Sequence, residues 1–303
     1  EHAGAGALQT RGGALMPIGD ARGARRALDP EKTHRLAVAG LWAAAGFTLL
    51  VLAGIIVLVL AKGLPMLSPG FLLGYPERMG RAGGIFPTIV GTLLLTGVAL
   101  VIATPLGVGT AIYLTEYTHA GRLGRLIRFG VECLAGVPSI IFGLFGFIFF
   151  VIYLQLGWSV LSGGLTLAIM VLPTIIRTAE EAIRAVPSSY REVSFGAGAT
   201  AWQTVTQVVL PVALPGIMTG VVLSIGRCVG ETAAVIFTAG TALRVPLSLF
   251  SPTRTMAVHF YTLAREGLSM PHAYGTAAVL IIAILLVNMA ANAIMVRFRA
   301  KVT

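Results

Sequence analysis

Apolar residues run in long stretches along this chain, and the polar positions fall almost wholly between them. A helix that crosses a bilayer needs about 20 predominantly apolar residues. Leu36–Ala61 carries no formal charge and stops at Lys62-Gly63-Leu64-Pro65, a sequence that breaks a helix. Ala82–Thr115 is also uncharged, and past Gly83, Gly84 and Pro87 it predicts a second span over Thr88–Tyr113. Cys133–Ile176 is uncharged for 44 residues, too long for one helix. Gly157-Trp158-Ser159 and Gly163-Gly164 predict its division into two spans. Val208–Ala239 and Ala273–Val296 complete six helices in one all-α membrane domain, residues 36–303.

Composition agrees with that pattern. Only 11% of the residues are charged, against about a quarter in soluble domains. The net charge of +10 would suggest nucleic acid in a soluble protein. Here the basic residues lie between the apolar runs, so no nucleic-acid partner is expected and topology accounts for them. With the amino terminus inside, fifteen Lys and Arg residues fall in cytoplasmic segments. Six fall outside: Lys62, Arg78, Arg81, Arg244, Arg254 and Arg265; Arg227 stands apart within a span. That bias predicts both termini inside. Residues 1–35, rich in Gly, Ala and Arg, read as a disordered cytoplasmic tail without a cleavable signal.

Little in the sequence suggests catalysis. Cys133 and Cys228 lack metal-ligand spacing and read as small core residues, and the five histidines are scattered. No Gly-Lys-Ser/Thr occurs, so any ATP must be hydrolysed by another polypeptide. The outer stretch Leu247–His272, with Phe250, Phe260, Tyr261, His259 and Arg265, predicts either an interfacial helix or a plain structural cap. Arg78 and Arg81 are surface charges that would attract an anion or an external protein, or do neither.

Between spans four and five lies the polar loop 180–211. It reads as two short amphipathic helices divided at Pro187, followed by a turn at Gly196 and Gly198. Such a compact helix suits docking in a groove of another protein. Glu192, Gly198, Val208, Leu210 and Pro211 also carry a spacing that resembles the ABC importer permeases: Glu-Ala-Ala, three residues, Gly, nine residues, Ile, one residue, Leu-Pro. Val193-Ser194 replaces Ala-Ala and Val208 replaces Ile. The resemblance implies that Arg191, Glu192, Gly196, Gly198, Leu210 and Pro211 belong to a coupling loop for a cytoplasmic ATPase. An ordinary helical connection is the plainer alternative.

The fifth run holds Gly226-Arg227-Cys228-Val229-Gly230-Glu231-Thr232-Ala233. An arginine near the centre of a membrane helix costs about 2.5–3.5 kcal/mol on insertion scales. In one helix Arg227 and Glu231 would share a face and pair at i,i+4. Two readings stand together: a structural ion pair, and a guanidinium that meets an anion in transit while Glu231 competes for it. Pro138-Ser139 predicts either a break that exposes backbone donors to an oxyanion or a packing kink. Arg177 closes span four, and Glu132 is expected to pair with a nearby arginine such as Arg128 at i−4.

From Leu36 onward the chain resembles, more narrowly, the phosphate branch of these permeases, and the PstA type more than the sister PstC type. The motifs are Gly84–Thr92, Pro105–Gly109, Tyr113–Tyr117, Gly136–Ile140, Leu172-Pro173 and Arg227–Ala233. Ala234 stands where the PstA type has Pro. The resemblance implies a bacterial inner-membrane permease in the type I ABC importer fold, which moves inorganic phosphate past Arg227, Glu231, Thr232, Ser139 and Arg177. It also implies a homologous permease, an ATPase dimer holding ATP–Mg, and an external phosphate-binding protein as partners. No cofactor or metal is expected in this chain. Two alternatives remain open: an importer of another oxyanion such as molybdate, tungstate or phosphonate, and a membrane scaffold or sensor without transport.

Overall fold

The computed structural model describes residues 30–118 and 121–302. The expected disordered tail lies outside the described residues up to position 29; a helix starts at Pro30. The chain forms two compact units, Glu1–Gly54 and Ile55–Thr303.

The described part of the first unit is the leading portion of α1 (Pro30–Gly63). Leu41, Trp42, Phe47 and Leu50 are all exposed on it. A helix that is apolar all round is one that lipid surrounds.

The second unit begins with the end of α1 and the short α2 (Pro69–Leu73). A small hairpin of β1 (Pro76–Glu77) and β2 (Ala82–Gly83) pairs Pro76 with Gly83 and Glu77 with Ala82, antiparallel. Next come α3 (Phe86–Ile112), α4 (Arg122–Ala135), α5 (Ser139–Gly146) and α6 (Val160–Arg184). The loop region holds α7 (Ser188–Gly196) and α8 (Ala201–Thr204), which lead into α9 (Leu210–Gly230). The chain ends with α10 (Ala233–Thr238), α11 (Met256–Arg265) and α12 (Met270–Val302). π-Helical turns continue α3 over Tyr113–Tyr117 and α5 over Phe147–Tyr153, and precede α9 over Val205–Val209. The last of these meets Pro211, which has no N–H to continue the α-helical ladder.

Among the described residues five helices are long and apolar enough to cross a membrane, and the pair α4–α5 makes a sixth if its bend of 102° counts as one broken span. Six runs are therefore present, with different boundaries from those expected. The 44-residue stretch divides at Gly157–Ser159, where Gln155 and Gly157 both have positive φ and the Ser159 side chain caps α6. Gly163 and Gly164 are not part of that division. Both lie buried inside α6, where Leu95, Ala239 and Val98 leave no room for a larger side chain. The fifth run stops at Gly230 and restarts at Ala233, so Val208–Ala239 is two helices rather than one.

The core lies where α3, α6 and α9 meet. Leu95, Ala99, Ala103, Leu167, Val171 and Ile175 are all fully or nearly fully buried there. Several hydroxyls inside this bundle bond along their own helices: Thr92 Oγ1 donates to the Thr88 carbonyl and Ser224 Oγ to that of Gly220. Lipid offers no alternative partner for such groups.

Candidate functional site

Two interrupted helices face each other inside the bundle. In one, α4 and α5 break at Gly136-Val137-Pro138, and in the other α9 and α10 break at Glu231-Thr232. Gly143 of α5 lies directly on Ala233 and Ala234 of α10; a methyl group built there would stand 2.8 Å from the Ala234 Cα. Only glycine permits this approach. Val137 packs against the same core cluster that contains Cys228 and Ala234. Backbone left unpaired by a break in a membrane helix is tolerated where protein or an aqueous path receives it.

Arg227 occupies the last turn of α9, just before this break, and is exposed. A cation there is favoured by the negative end of the helix dipole. The expected i,i+4 pair with Glu231 does not form, because the helix ends at Gly230 and Glu231 is extended, at φ −73° and ψ 131°. The Glu231 carboxylate instead accepts a hydrogen bond from the Ala234 N–H at 3.2 Å, capping the first turn of α10. Among the described residues Arg227 has no carboxylate within 4 Å. Thr232 follows at the start of α10, its hydroxyl 3.5 Å from the Gly230 carbonyl. Ser139 opens α5 after Pro138, one turn before Gly143. Cys228, beside Arg227, is buried, whereas Cys133 is exposed.

Arg177 sits away from this break, towards the loop end of α6. Its nearest acid is Glu132, at 4.0 Å, and both side chains are about half exposed or more. Glu132 is therefore not the partner of Arg128. Arg128 Nε donates to Glu180 at 2.8 Å and its Nη2 to the Leu114 carbonyl at 2.9 Å, while Arg184 also bonds Glu180. One buried carboxylate thus ties α4 to α6, a stronger arrangement than an exposed i,i+4 pair on α4.

The loop departs from two separate short helices. Glu180–Arg184 belongs to the end of α6, and α7 is the only free-standing helix before the turn. Pro187 precedes α7, and Gly198 turns the chain at φ +84°. Thr200 and Gln203 form a reciprocal capping box on α8. Tyr190, Val193 and Phe195 are exposed along α7, an apolar surface suited to a partner's groove. Leu210 and Pro211 open α9, and Gly196 closes α7.

Arg191 points inward rather than outward. Its Nε and Nη2 donate to both oxygens of Glu116, at 2.7–3.2 Å. Nη1 and Nη2 also reach the carbonyls of Val186 and Ile183, at 2.9 and 3.1 Å, at the end of α6. One guanidinium therefore joins α7, the end of α6 and the π-helical end of α3. Sequence reasoning placed Glu116 in a motif but did not find this role. A partner 75 residues away leaves no periodic signal in the sequence.

Comparisons with known proteins place the chain. The family described as "Binding-protein-dependent transport system inner membrane component" matches residues 103–303. A Bacillus subtilis protein described as "Probable ABC transporter permease protein YqgI" is 32% identical over 276 residues, 86% of this chain and 94% of that protein. The "Phosphate transport system permease protein PstA 1" of Mycobacterium tuberculosis is 40% identical over 228 residues, covering 74% of this chain and 73% of the relative. Among solved structures, a bacterial alginate ABC transporter in complex with alginate pentasaccharide-bound periplasmic protein superimposes with a TM-score of 0.64 at 16% identity. The match covers 88% of this chain and 96% of that one. This fold and these sequence relations agree: the chain is an ABC importer permease, a multi-pass inner-membrane protein of the binding-protein-dependent transport family.

Proposed function

We propose that this permease forms half of the pathway of an ATP-driven importer for inorganic phosphate. The observation that carries this reading is Arg227, a guanidinium in a candidate membrane helix with no carboxylate partner among the described residues, placed at the break between α9 and α10. An anion cannot leave water for the membrane interior unless a cation and donors replace its hydration. The guanidinium fork matches the oxygens of phosphate. Similarity to a phosphate transport permease favours that anion over other oxyanions. Glu231, held by α10, is the neighbouring acid that keeps binding weak enough for release, with Thr232 and Ser139 as hydroxyl donors on the two facing breaks.

The loop 180–211 takes up the motion of a cytoplasmic ATPase dimer, and ATP–Mg is bound there and not in this chain. α7 offers Val193 and Phe195 to the ATPase, while Arg191 passes its displacement to α3 and α6. A second, homologous permease completes the pathway, and an external phosphate-binding protein delivers the ion. Both termini lie in the cytoplasm in this reading.

Radiolabelled phosphate uptake into vesicles containing the whole complex tests the claim. Arg227→Ala is expected to abolish ATP-dependent uptake while the complex assembles normally. Undiminished uptake by that variant sinks the assigned role, and faster uptake of molybdate or a phosphonate than of phosphate sinks the substrate.

A further inference from the structure

At the end of α3 remote from Glu116, the chain builds a second cationic cleft. Its volume is about 470 Å³, and Thr241, Arg254, Tyr261, Arg265 and Glu266 contribute its polar lining. Arg254 is only 9% exposed. Its Nε donates to the Thr241 carbonyl at 3.0 Å, and Nη1 lies 3.5 Å from His259 Nδ1.

No carboxylate among the described residues comes within 4 Å of Arg254. His259 gives no negative charge in its place. Burial, together with Arg254 and His272, holds its imidazole down to about 4, so the ring is neutral at physiological pH. A buried guanidinium without a counter-charge is costly, and the open side of its cleft is where compensation can arrive. Burial lowers the pKa of Arg254, and Glu266 opposes that through space as the one acid in the cleft lining.

Arg265 Nη1 donates to Tyr261 Oη at 2.7 Å, and its guanidinium lies over the same ring, 5.5 Å from the centroid. On the rim, Met79 reaches the cleft from the hairpin tip, and Gly80 sits against the His259 ring so closely that a side chain would strike it.

We propose that this cleft is a binding site for a small tetrahedral oxyanion, separate from Arg227, with Arg254 and Arg265 as its cationic donors. A carboxylate presents two oxygens in one plane, whereas phosphate presents four and can accept from donors on separate elements at once. Glu266 limits the affinity by competing for the same cations. The choice of inorganic phosphate as ligand rests on the transport reading above; the assignment of an anion site does not. In the outside-facing orientation proposed for this end, the site would receive phosphate before it reaches the break at Arg227.

Equilibrium dialysis with radiolabelled orthophosphate tests this on the whole complex in nanodiscs, without binding protein or nucleotide. An Arg227→Ala background removes the contribution of the pathway arginine. A saturable site is expected to remain. Arg265→Gln should weaken it roughly tenfold, the loss of a charge-assisted contact. Glu266→Gln should tighten it roughly threefold or more by removing a competing charge. Arg265 and Glu266 are both exposed, so neither substitution disturbs the core, and Arg254→Lys separates loss of the fork from loss of charge.

Absence of a saturable phosphate site, or a site indifferent to both substitutions, overturns the proposal. So does a result in which they leave phosphate binding unchanged but weaken retention of separately added binding protein on the same nanodiscs, which would make the cleft a pocket for a partner's carboxylate. If the complex binds phosphate at this cleft yet never imports it, the transport reading falls and the anion site stands.

Discussion

Two residues show how far local sequence carried. Arg227 was legible because an arginine within an apolar run is conspicuous, but its expected partner was wrong: the α-helical period that would join it to Glu231 stops at Gly230. His259 gave no such signal. It lies among Phe260, Tyr261 and other apolar residues, and only the fold shows it fully buried beside Arg254. Its pKa falls from 6.5 in the open chain to about 4 in the folded protein, chiefly through burial and then through Arg254 and His272. The unfolded chain therefore takes up a proton that the folded one refuses. Stability from this group is complete above about pH 6.5 and is lost as the pH falls towards 4, by no more than about 3 kcal/mol. Thermal unfolding of the detergent-solubilised protein should show a midpoint that drops over this interval. His259→Gln should flatten that slope, and an unchanged slope would assign the acid sensitivity to other groups.

At the scale of elements, the apolar pattern located the long helices, though not their boundaries, and the Glu192–Pro211 spacing located the loop. The joints were not legible. A run of 44 uncharged residues does not disclose that its first part begins with a sharp bend at Gly136–Pro138, since a kink and a full break have the same composition. Nor did Arg191 disclose its direction. A basic residue beside Glu192 fits an outward contact as well as the inward brace that is present. That brace has a mechanical consequence. With Arg191 anchored on Glu116, on the Ile183 carbonyl of α6 and on that of Val186 just past its end, a displacement of α7 pulls on α3 and α6 together. Glu116→Gln removes the charge and keeps the shape, and loss of a charge-assisted hydrogen bond costs about 1.5–3 kcal/mol. In vesicles containing the complex, this variant should hydrolyse ATP at near the normal rate but move several-fold less phosphate per ATP. Equal loss of both activities would indicate failed assembly instead.

For the whole molecule, class and family were readable from the start, because hydropathy and motif spacing are properties of the chain itself. The placement of charge around the bundle was not. The polar clusters at the two ends of α3 are assembled from residues far apart in sequence: Glu116 with Arg191 at one end, Arg254 with Thr241 and His259 at the other. Each cluster brings an arginine to a position where one further charge matters. At the loop end that charge belongs to the chain itself. At the far end the chain supplies Glu266, beyond ion-pair distance of Arg254, and the proposed oxyanion supplies the rest.

The short α5 bears on how this protein reaches the membrane at all. From Ser139 to Tyr153 it has 15 residues, about 22 Å at 1.5 Å per residue, against a hydrocarbon core of about 30 Å. During synthesis such a segment is a poor candidate for stable insertion by itself, and the turn at Gln155–Ser159 ties it to the longer α6. The pair should therefore integrate as one helical hairpin. In a released chain truncated after Leu156, an Ile148→Cys probe in a Cys133→Ser background is expected to react with a water-soluble maleimide, whereas in a chain that continues through Arg184 it should be protected. Protection of the probe in the shorter chain would show that α5 needs no help from the helix that follows it.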